Sequence, residues 1–314
     1  MSKATRDAFG EALVKAGEKY PEVVALDADL AKSTKSEAFA KRFPDRFFEM
    51  GIAEANMVGT GAGLALCGKV PFICSFACFV TGRYDQIRIS VAYSGANVRI
   101  VGSHAGIAIG DDGYSQQGLE DVALMRALPG MAVLQPADDV ECEQMVDFLC
   151  RHQGPAFLRT TRQKLPRVHG EGYRFELGKL DVLRPGGKDV VIFATGGEVG
   201  YALSAAEQLV KEGHEVGVVN VPCIKPFDAA GAAKLAASAR VVVTAEDHSI
   251  IGGLGSTVAE ALAEAGVGRP LVRVGLQDVF GESGAPEELL RKHQLDADGI
   301  ADQVRAALAR VSSV

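Results

Sequence analysis

Short apolar runs alternate with helix-length amphipathic stretches along nearly the whole chain of 314 residues. The runs are rich in Val and Ile, which is typical of strands buried on both faces by helices in a parallel sheet. In the first half the pattern predicts the strands Val23–Leu26, Val70–Ser75, Val98–Val101, Ala132–Leu134 and Ala156–Arg159. The helices predicted between them are Ala53–Leu66, Gly82–Tyr93, Glu120–Leu128 and Val140–Arg151.

The alternation is interrupted by a polar segment rich in Pro and Gly, which runs from Leu165 to Lys188. Such a composition is typical of a linker. The pattern then restarts with the strands Val190–Ala194, Val216–Val219, Val241–Thr244 and Leu271–Val274, and with the helices Val199–Glu212, Ala229–Ala237, Leu254–Ala265 and Ile300–Val311. We therefore expect an α/β protein with two parallel-sheet, three-layer domains, residues 1–168 and 188–314, joined by a linker over 169–187 that contains a short strand.

The composition narrows the classes of partner. Hydrophobic residues make up 47% of the chain and charged residues 23%, and the formal net charge is −7. This charge argues against nucleic acid or an anionic membrane as a partner. The six cysteines show no metal-ligand spacing, and we assign no metal ligands. No leader-like or membrane-length apolar run is visible, so we expect a cytoplasmic protein.

One acidic residue stands at a position where chemistry is possible. In the segment Phe47–Met57 a strand ends, Gly51 turns the chain, and Glu54 opens a long apolar helix. Acids are common in the first turn of helices, where they complement the helix dipole. The position alone therefore does not distinguish a functional carboxyl group from a structural one.

Two further segments carry dense polar residues after strands. Ser103–Gly118 is a long polar loop at a strand end, where open α/β sheets bind ligands and where long loops are usually functional. Arg159 and Arg162 end another strand. They could be solvated charges, or they could grip a phosphate with the planar guanidinium fork.

Together with Phe280–Pro286, these segments resemble the C-terminal half of a transketolase, in order and over nearly the whole chain. The resemblance implies a subunit of a thiamine-diphosphate enzyme. Glu54 would hydrogen-bond N1′ of the cofactor's aminopyrimidine, where a desolvated carboxyl group can hold and share a proton. Phe76 and Phe79 would form the aromatic wall of the pyrimidine pocket, and Asp29 would line the cofactor site. The family's third aromatic residue of that wall falls on Gly82, near Tyr84.

The resemblance also implies a sugar-phosphate site. The groups around the phosphate would be Arg6, Ser33, His104 and Arg162, a set of donors suited to an anion. Asp112 would bind a hydroxyl of the sugar. The family usually has His in the sequence Gly-Pro-Thr-His of this loop, and here Gln116 follows Tyr114 and Ser115. Gln116 would contact substrate but cannot shuttle a proton near neutral pH.

The motif that holds the diphosphate in this family is absent from the chain. Full transketolases bind the diphosphate and Mg²⁺ through Gly-Asp-Gly followed by Asn, and no Gly-Asp-Gly occurs in these 314 residues. The resemblance therefore implies that a separate subunit supplies the diphosphate half and holds the Mg²⁺. We expect an active site between chains in an α2β2 assembly, with self-association of this chain through a dimer.

Three alternatives remain open from the sequence. The segment Tyr84-Asp85-Gln86 also resembles a segment of 1-deoxyxylulose-phosphate synthase and of the β subunit of 2-oxoacid dehydrogenases. The synthase has Arg where His104 and Phe79 stand here, and a 2-oxoacid would not need the phosphate set. The third alternative is a non-catalytic assembly subunit, against which the retained Glu54 argues.

The second domain carries no residues to which the sequence assigns chemistry. Gly252–Ser256 precedes a helix but lacks the Lys and the spacing of a phosphate-binding loop. We interpret it as a tight turn and helix start. His248, beside Glu246 and Asp247, is interpreted as local polar structure. The sequence predicts a role in assembly alone for this domain.

Overall fold

The computed structural model describes residues 2–312, and it contains two mainly parallel sheets covered by helices. The strands are β1 Lys3–Ala4, β2 Val23–Asp27, β3 Phe47–Glu49, β4 Val70–Phe76, β5 Arg99–Ser103, β6 Ala132–Leu134, β7 Ala156–Arg159, β8 Lys164–Leu165, β9 Asp181–Arg184, β10 Val190–Ala194, β11 Val216–Asn220, β12 Cys223–Lys225, β13 Val241–Ser249 and β14 Leu271–Leu276.

Most of the helices lie between successive strands. They are α1 Thr5–Lys19, α2 Ala31–Thr34, α3 Glu37–Arg42, α4 Glu54–Leu66, α5 Ala77–Thr81, α6 Tyr84–Gln86, α7 Asp121–Ala127, α8 Asp139–Arg151, α9 Glu198–Lys211, α10 Ala229–Ala237, α11 Leu254–Glu264, α12 Pro286–Lys292 and α13 Ala297–Ser312. Short 3₁₀ turns occur at Pro44–Arg46, Ile107–Ile109 and Tyr114–Gln116, and Ile87–Tyr93 forms a π-helix. None of these helices, within residues 2–312, is long and apolar enough to cross a bilayer.

The first sheet has the strand order β12-β6-β7-β5-β4-β2-β3. All of its neighbouring pairs are parallel except β12 with β6. Side chains of β2 alternate between two cores: Val23 and Ala25 pack into one, and Val24 and Leu26 into the other. Both faces of the sheet are therefore buried under helices, as the continuous apolar strands predict.

The second sheet repeats this arrangement with the order β14-β13-β10-β11-β9. Its strands are parallel except for β9, which pairs antiparallel with β11. Val190 and Ile192 of β10 pack into one core, and Val191 and Phe193 pack into the core on the opposite face. The α/β class and the three-layer arrangement predicted from the sequence are confirmed.

The structure differs from the predicted elements in three places. The segment Gly82–Tyr93 is not one helix: Gly82 ends α5, and α6 and the π-helix follow. Both sheets carry an antiparallel edge strand, so neither is wholly parallel. Strand β12, which the pattern did not predict, belongs to the second half of the chain but pairs with the first sheet, whereas β9 lies within the linker, where a short strand was expected.

Candidate active site

The predicted site residues lie along one edge of the first sheet, where its parallel strands end. Arg162 follows β7, His104 follows β5 and Phe76 ends β4, while Asp29 follows β2 and Glu54 begins the helix after β3. The strands are neighbours in the order β7-β5-β4-β2-β3. The carboxyl edge of an open α/β sheet is the usual place for a ligand, and the topology gives the residues one continuous row there.

Two carboxylates hold the loops at the β2 and β3 end of this row. Asp27 is fully buried and accepts hydrogen bonds from Leu30 N at 2.6 Å, Thr34 Oγ1 at 2.7 Å and Ser36 Oγ at 2.8 Å. Burial raises the pKa of Asp27 to about 6, although these donors favour its charged form. The loop that carries Asp29 and Ser33 is thereby fastened to the end of β2.

Glu49 connects that loop with the one before Glu54. Its Oε1 accepts hydrogen bonds from Asp29 N at 2.8 Å and from Gly51 N at 3.0 Å. Asp29 and Gly51 both have left-handed backbones, with φ of 64° and 65°. A non-glycine residue held in that conformation is uncommon and is often found at functional sites. The side chain of Asp29 is exposed at the site.

Glu54 is the first residue of α4 and is half-buried. Within residues 2–312 its carboxylate makes no hydrogen bond and no ion pair. The N-cap of this helix is Ala53, which makes no side-chain hydrogen bond. The carboxylate is therefore free to meet a ligand or another chain.

An aromatic stack connects the two ends of the site. Phe76 and Phe79 are stacked, with ring centroids 5.5 Å apart and an interplanar angle of 13°. Phe76 also stacks on His104, at 3.9 Å and 22°. Gly82 is exposed, and a Cβ there would lie 2.9 Å from the Cys78 carbonyl oxygen. Tyr84 packs partly against the core beneath the site.

Three residues of the predicted phosphate set are in direct contact. Arg6 Nη1 donates to the Ser33 carbonyl oxygen at 3.2 Å and to His104 Nε2 at 2.9 Å. Because arginine has no acceptor, Nε2 must be the acceptor and the imidazole proton lies on Nδ1, which faces Ser103 Oγ at 2.8 Å. His104 also has a left-handed φ of 57°. The arrangement presents a neutral imidazole beside a guanidinium group.

The electrostatics of this set favour an anion. Burial, and then the charges of Arg6, Arg162 and Lys35, lower the pKa of His104 to about 3. Burial also lowers the pKa of Arg6. Arg162 Nη1 lies 3.2 Å from Asp112 Oδ2, so the predicted hydroxyl-binding carboxylate pairs with the predicted phosphate-binding arginine. A bound anion reduces the repulsion between positive charges that lie close together in a partly desolvated site.

Gln116 lies in the 3₁₀ turn Tyr114–Gln116 and is half-buried. Its backbone N–H donates to the Gly113 carbonyl oxygen at 3.1 Å. Its side-chain amide has no hydrogen bond within the part of the chain that the structure describes. A substrate hydroxyl or carbonyl group could therefore pair with it.

Arg159 has a role that the sequence did not reveal. It is buried and pairs with the buried Asp121, with Nε 2.7 Å from Oδ2. Its Nη2 also donates to the carbonyl oxygens of Gly118 and Asp247, each at 2.9 Å. Arg159 thus joins the two domains and does not face the phosphate set. An acidic residue in the first turn of α7, Asp121, is the sequence feature that could have indicated this pair.

The backbone N–H groups after the glycine turn of the second domain already donate to a side chain of this chain. Glu246 accepts hydrogen bonds from Leu254 N and Gly255 N, both at 2.7 Å, at the start of α11. Burial raises the pKa of Glu246 to about 7. His248 is buried, and its Nδ1 donates to the Ser249 carbonyl oxygen at 2.6 Å. Both observations match the interpretation of a helix start and local polar structure.

An unpartnered face of α4 adjoins Glu54. Ala55, Asn56, Gly59 and Gly63 are exposed along it, and the exposed fractions of Ile52 and Leu66 at its ends are 83% and 71%. Ile89 and Tyr93 of the neighbouring π-helix are also exposed. An apolar surface of this kind on a folded chain is typical of a protein interface.

Comparison with known protein families gives two matches that together cover most of the chain. Residues 1–168 match the family model for the transketolase pyrimidine binding domain. Residues 178–300 match the model for the transketolase C-terminal domain.

Individual relatives include a protein named as a subunit and a longer transketolase. The chain is 43% identical to the 6-deoxy-6-sulfo-D-fructose transketolase subunit SqwH of a Clostridium species, over 96% of this chain and 92% of that protein. It is 39% identical to human transketolase, over 98% of this chain but 49% of that protein. Among solved structures, it superposes on a split gene transketolase described as an inactive beta4 tetramer with a TM-score of 0.89, 44% identity and coverage of 98% and 99%.

Proposed function

Because the chain belongs to the transketolase family of transferases, we propose that it is one subunit of a two-chain, thiamine-diphosphate-dependent transketolase. In this proposal the enzyme moves a two-carbon ketol unit from a ketose phosphate to an aldose. The chain supplies the pyrimidine side of the cofactor site and the sugar-phosphate site. A second subunit supplies the diphosphate side and its Mg²⁺.

The observation that carries the proposal is the unpartnered Glu54 at the edge of an exposed apolar face. A carboxylate without a partner within residues 2–312 is suited to receive a ring nitrogen from outside the chain. Phe79 is partly exposed and is backed by the buried ring of Phe76, so it offers a flat apolar surface to a pyrimidine. These residues fit the aminopyrimidine end of thiamine diphosphate, with Asp29 close to the same end of the sheet edge.

In the proposed reaction the cofactor, when bound, supplies the nucleophilic carbon that accepts the ketol unit. Glu54 holds and shares a proton at N1′ of the aminopyrimidine. Arg6 and Arg162 bind the sugar phosphate, with Ser33 beside Arg6. His104 donates to the phosphate once the anion replaces it as the acceptor of Arg6 and its proton moves from Nδ1 to Nε2. Asp112 binds a sugar hydroxyl, and Gln116 donates or accepts a hydrogen bond at the reacting end.

The partner is inferred from the exposed face of α4 and from the relatives. SqwH is named a subunit, and the superposed structure is described as a split gene product. Burial of the α4 face by the second subunit would desolvate Glu54, which strengthens its interaction with a protonated ring. We propose an α2β2 assembly, and the tetramer described for the relative supports self-association of this type of chain.

The nature of the sugar is the open part of the proposal. A sulfonated sugar named for SqwH and a phosphorylated one both end in a tetrahedral anion, which the Arg6–His104–Arg162 set would bind. A 2-oxoacid carries its carboxylate directly on the reacting carbonyl carbon and has no second anion at the far end of the molecule, where this set would bind it.

The proposal is tested by substrate comparison in the two-chain complex. The chain is co-purified with its candidate diphosphate-domain subunit and assayed with xylulose 5-phosphate and ribose 5-phosphate, with 6-deoxy-6-sulfofructose as donor, and with 2-oxoacids. We expect ketol transfer from an anionic sugar. Turnover of a 2-oxoacid with acyl transfer and no ketol transfer would overturn the proposal in favour of a dehydrogenase-type subunit.

A further inference from the structure

The substrate loop, residues 103–118, is closed upon itself at its base. Gly106 N donates to the Gly118 carbonyl oxygen at 2.9 Å, and Ala105 and Gly118 form an isolated bridge. Asp112 and Gln116 lie between these two ends, and His104 directly precedes Ala105. A loop whose ends meet needs packing on its inner side to fix its shape. That packing comes from the second domain.

Asp247 of the second domain fastens the first turn of the loop. Its side chain accepts hydrogen bonds from Ile107 N at 2.7 Å and from Ala108 N at 3.2 Å, and the residue is only 8% exposed. A Cβ on Gly106 would lie 2.0 Å from Asp247 Oδ2, and Gly106 has a φ of 90°. The chain therefore approaches the carboxylate closely at a position that only glycine accommodates.

The base of the loop is fastened to the same residue from the other side. Arg159 Nη2 donates to the carbonyl oxygens of Gly118 and Asp247, each at 2.9 Å. Ile107, Ala108 and Leu119 are part of the buried core that also contains the strands of the second sheet. The start of the loop is consequently bound by Asp247 directly. Its end is bound by Arg159, which belongs to the first domain but also contacts Asp247, and the adjacent Leu119 carbonyl oxygen accepts a hydrogen bond from Ser249 N of the second domain at 2.9 Å.

The outer part of the loop rests on the segment after β14. Gln117 Nε2 donates to the Glu282 carbonyl oxygen at 3.0 Å. Tyr114 meets Phe280 edge to face, with ring centroids 4.6 Å apart, and Phe280 is otherwise 77% exposed. Within residues 2–312 the aromatic contact of this largely exposed phenylalanine is with the substrate loop, so its position is better explained by support of that loop than by packing within its own domain.

We propose that the second domain positions the substrate loop, with Asp247 as the positioning residue and Phe280 as the outer support. This inference rests on the proposed function, because it assigns the loop to the binding of the anionic sugar. It replaces the expectation that the second domain serves assembly alone. A small displacement of the loop moves Asp112 away from its place beside Arg162, and misplacement of about 1 Å can reduce turnover a hundredfold.

The test compares Asp247→Asn with wild type in the two-chain complex. In wild type Ile107 N donates to Asp247 Oδ1 and Ala108 N donates to Oδ2. The amide keeps the size of the side chain, but its NH2 group replaces one of these oxygens and cannot accept from an N–H, and the charge that strengthens both hydrogen bonds is lost. Two reactions are measured: transfer to a phosphorylated aldose, and release of CO₂ from hydroxypyruvate, which yields the same two-carbon unit and carries no phosphate. We expect KM for the aldose phosphate to rise about tenfold or more, with CO₂ release unchanged within about twofold.

Hydrogen exchange in the same complex gives a readout that does not depend on activity. In Asp247→Asn the amides of Ile107 and Ala108 should exchange at least about tenfold faster than in wild type, because their acceptor is weakened. If Asp247→Asn fails to fold, Phe280→Ala replaces it, since this side chain is largely exposed. Val279→Ala removes an exposed apolar side chain from the adjacent position and serves as the matched control.

An unchanged KM for the aldose phosphate in Asp247→Asn, or equal effects of Phe280→Ala and Val279→Ala, would overturn the inference. Loss of both reactions in equal proportion would also contradict it, because that result indicates a general structural role. A wild-type complex that releases CO₂ from hydroxypyruvate but transfers nothing to any sugar would overturn the proposed function instead. The two failures are therefore distinguishable.

Discussion

At the residue scale, the cationic groups of the site are already engaged with groups that a substrate would replace. Arg6 donates to the neutral His104, and Arg162 pairs with Asp112. Neither contact is a deeply buried ion pair: His104 is buried but neutral, and Arg162 and Asp112 are exposed on the surface of the site. An incoming dianion can therefore take over these donors without leaving a buried charge unpaired.

Replacement of Arg6 should affect anionic substrates selectively. In Arg6→Ala we expect KM for a phosphorylated aldose to rise by roughly 10- to 100-fold, because a charge-assisted hydrogen bond contributes about 1.5–3 kcal/mol. KM for an unphosphorylated aldehyde should change by less than about twofold. The measurement is steady-state kinetics of the two-chain complex with both acceptors.

The control for this substitution is Arg42→Ala, which removes an exposed arginine from α3. It should leave both KM values unchanged. If Arg6→Ala raised KM equally for the charged and the uncharged acceptor, Arg6 would not bind the anionic group of the substrate.

The residues of the site could be proposed from the sequence, but their partners could not. Arg159 and Arg162 are three positions apart and look alike in the sequence, yet one is buried against Asp121 and the other is exposed beside Asp112. The difference arises because strand β7 continues to Arg159 and ends there. Contacts between positions that are far apart in the chain, such as Arg6 with His104, follow only from the sheet order.

At the scale of elements, the exposed face of α4 contains glycines that weaken their own helix. Gly59 and Gly63 lie within α4, and a Cβ at either would meet no other atom within 4 Å. Glycine inside a helix costs about 0.5–1 kcal/mol relative to alanine. Their presence on an apolar face is typical of a helix that another backbone approaches closely.

Substitution of Gly59 should separate stability from association. In Gly59→Ala we expect the isolated chain to be more stable by about 0.5–1 kcal/mol, measured by urea-induced unfolding.

In Gly59→Leu the larger side chain should weaken binding of the diphosphate-domain subunit at least about tenfold, measured by calorimetric titration. Ala306→Leu, an exposed position on α13, is the control for added apolar surface. Undiminished binding of Gly59→Leu would exclude this face of α4 from the interface.

Most of the elements follow from local pattern, and the exceptions have physical causes. The apolar run Val190–Ala194 forms β10 as predicted, because five consecutive buried residues have no other stable arrangement between two helical layers. Strand β12 could not be predicted as part of the first sheet, because its pairing with β6 is set by the docking of the two domains. The segment Tyr84–Tyr93 has a helical pattern, but its hydrogen-bond spacing changes at Ile87, which periodicity alone does not reveal.

At the scale of the whole molecule, a buried charged junction holds the connection between the domains. His169 lies between Asp138 and Asp181, with its Nδ1 3.1 Å from Asp138 Oδ1 and its Nε2 3.0 Å from Asp181 Oδ2. Burial opposes protonation, but these two carboxylates outweigh it and raise the pKa of His169 to about 10. Asp138 also caps α8, through a hydrogen bond from Glu141 N at 2.9 Å.

The stability of the chain should therefore depend on pH through His169. A histidine whose pKa is higher in the folded state stabilises fully below its unfolded pKa of about 6.5, and this contribution is lost as pH rises to about 10. In His169→Gln we expect the free energy of unfolding to fall by about 3 kcal/mol at pH 7 and by much less at pH 10. Urea-induced unfolding of both proteins at the two pH values measures this.

His214→Gln provides the reference for a histidine outside the junction, in the turn after α9. If the difference between wild type and His169→Gln were the same at pH 7 and pH 10, His169 would not be charged in the folded protein.

The most direct test of the central claim is the activity of the separate and combined chains with Glu54 intact and replaced. The account predicts no ketol transfer by this chain alone, transfer when the diphosphate-domain subunit is added, and loss of transfer in the mixed complex with Glu54→Gln although the two chains still associate. Full activity of this chain alone, or an unchanged rate in Glu54→Gln, would contradict it.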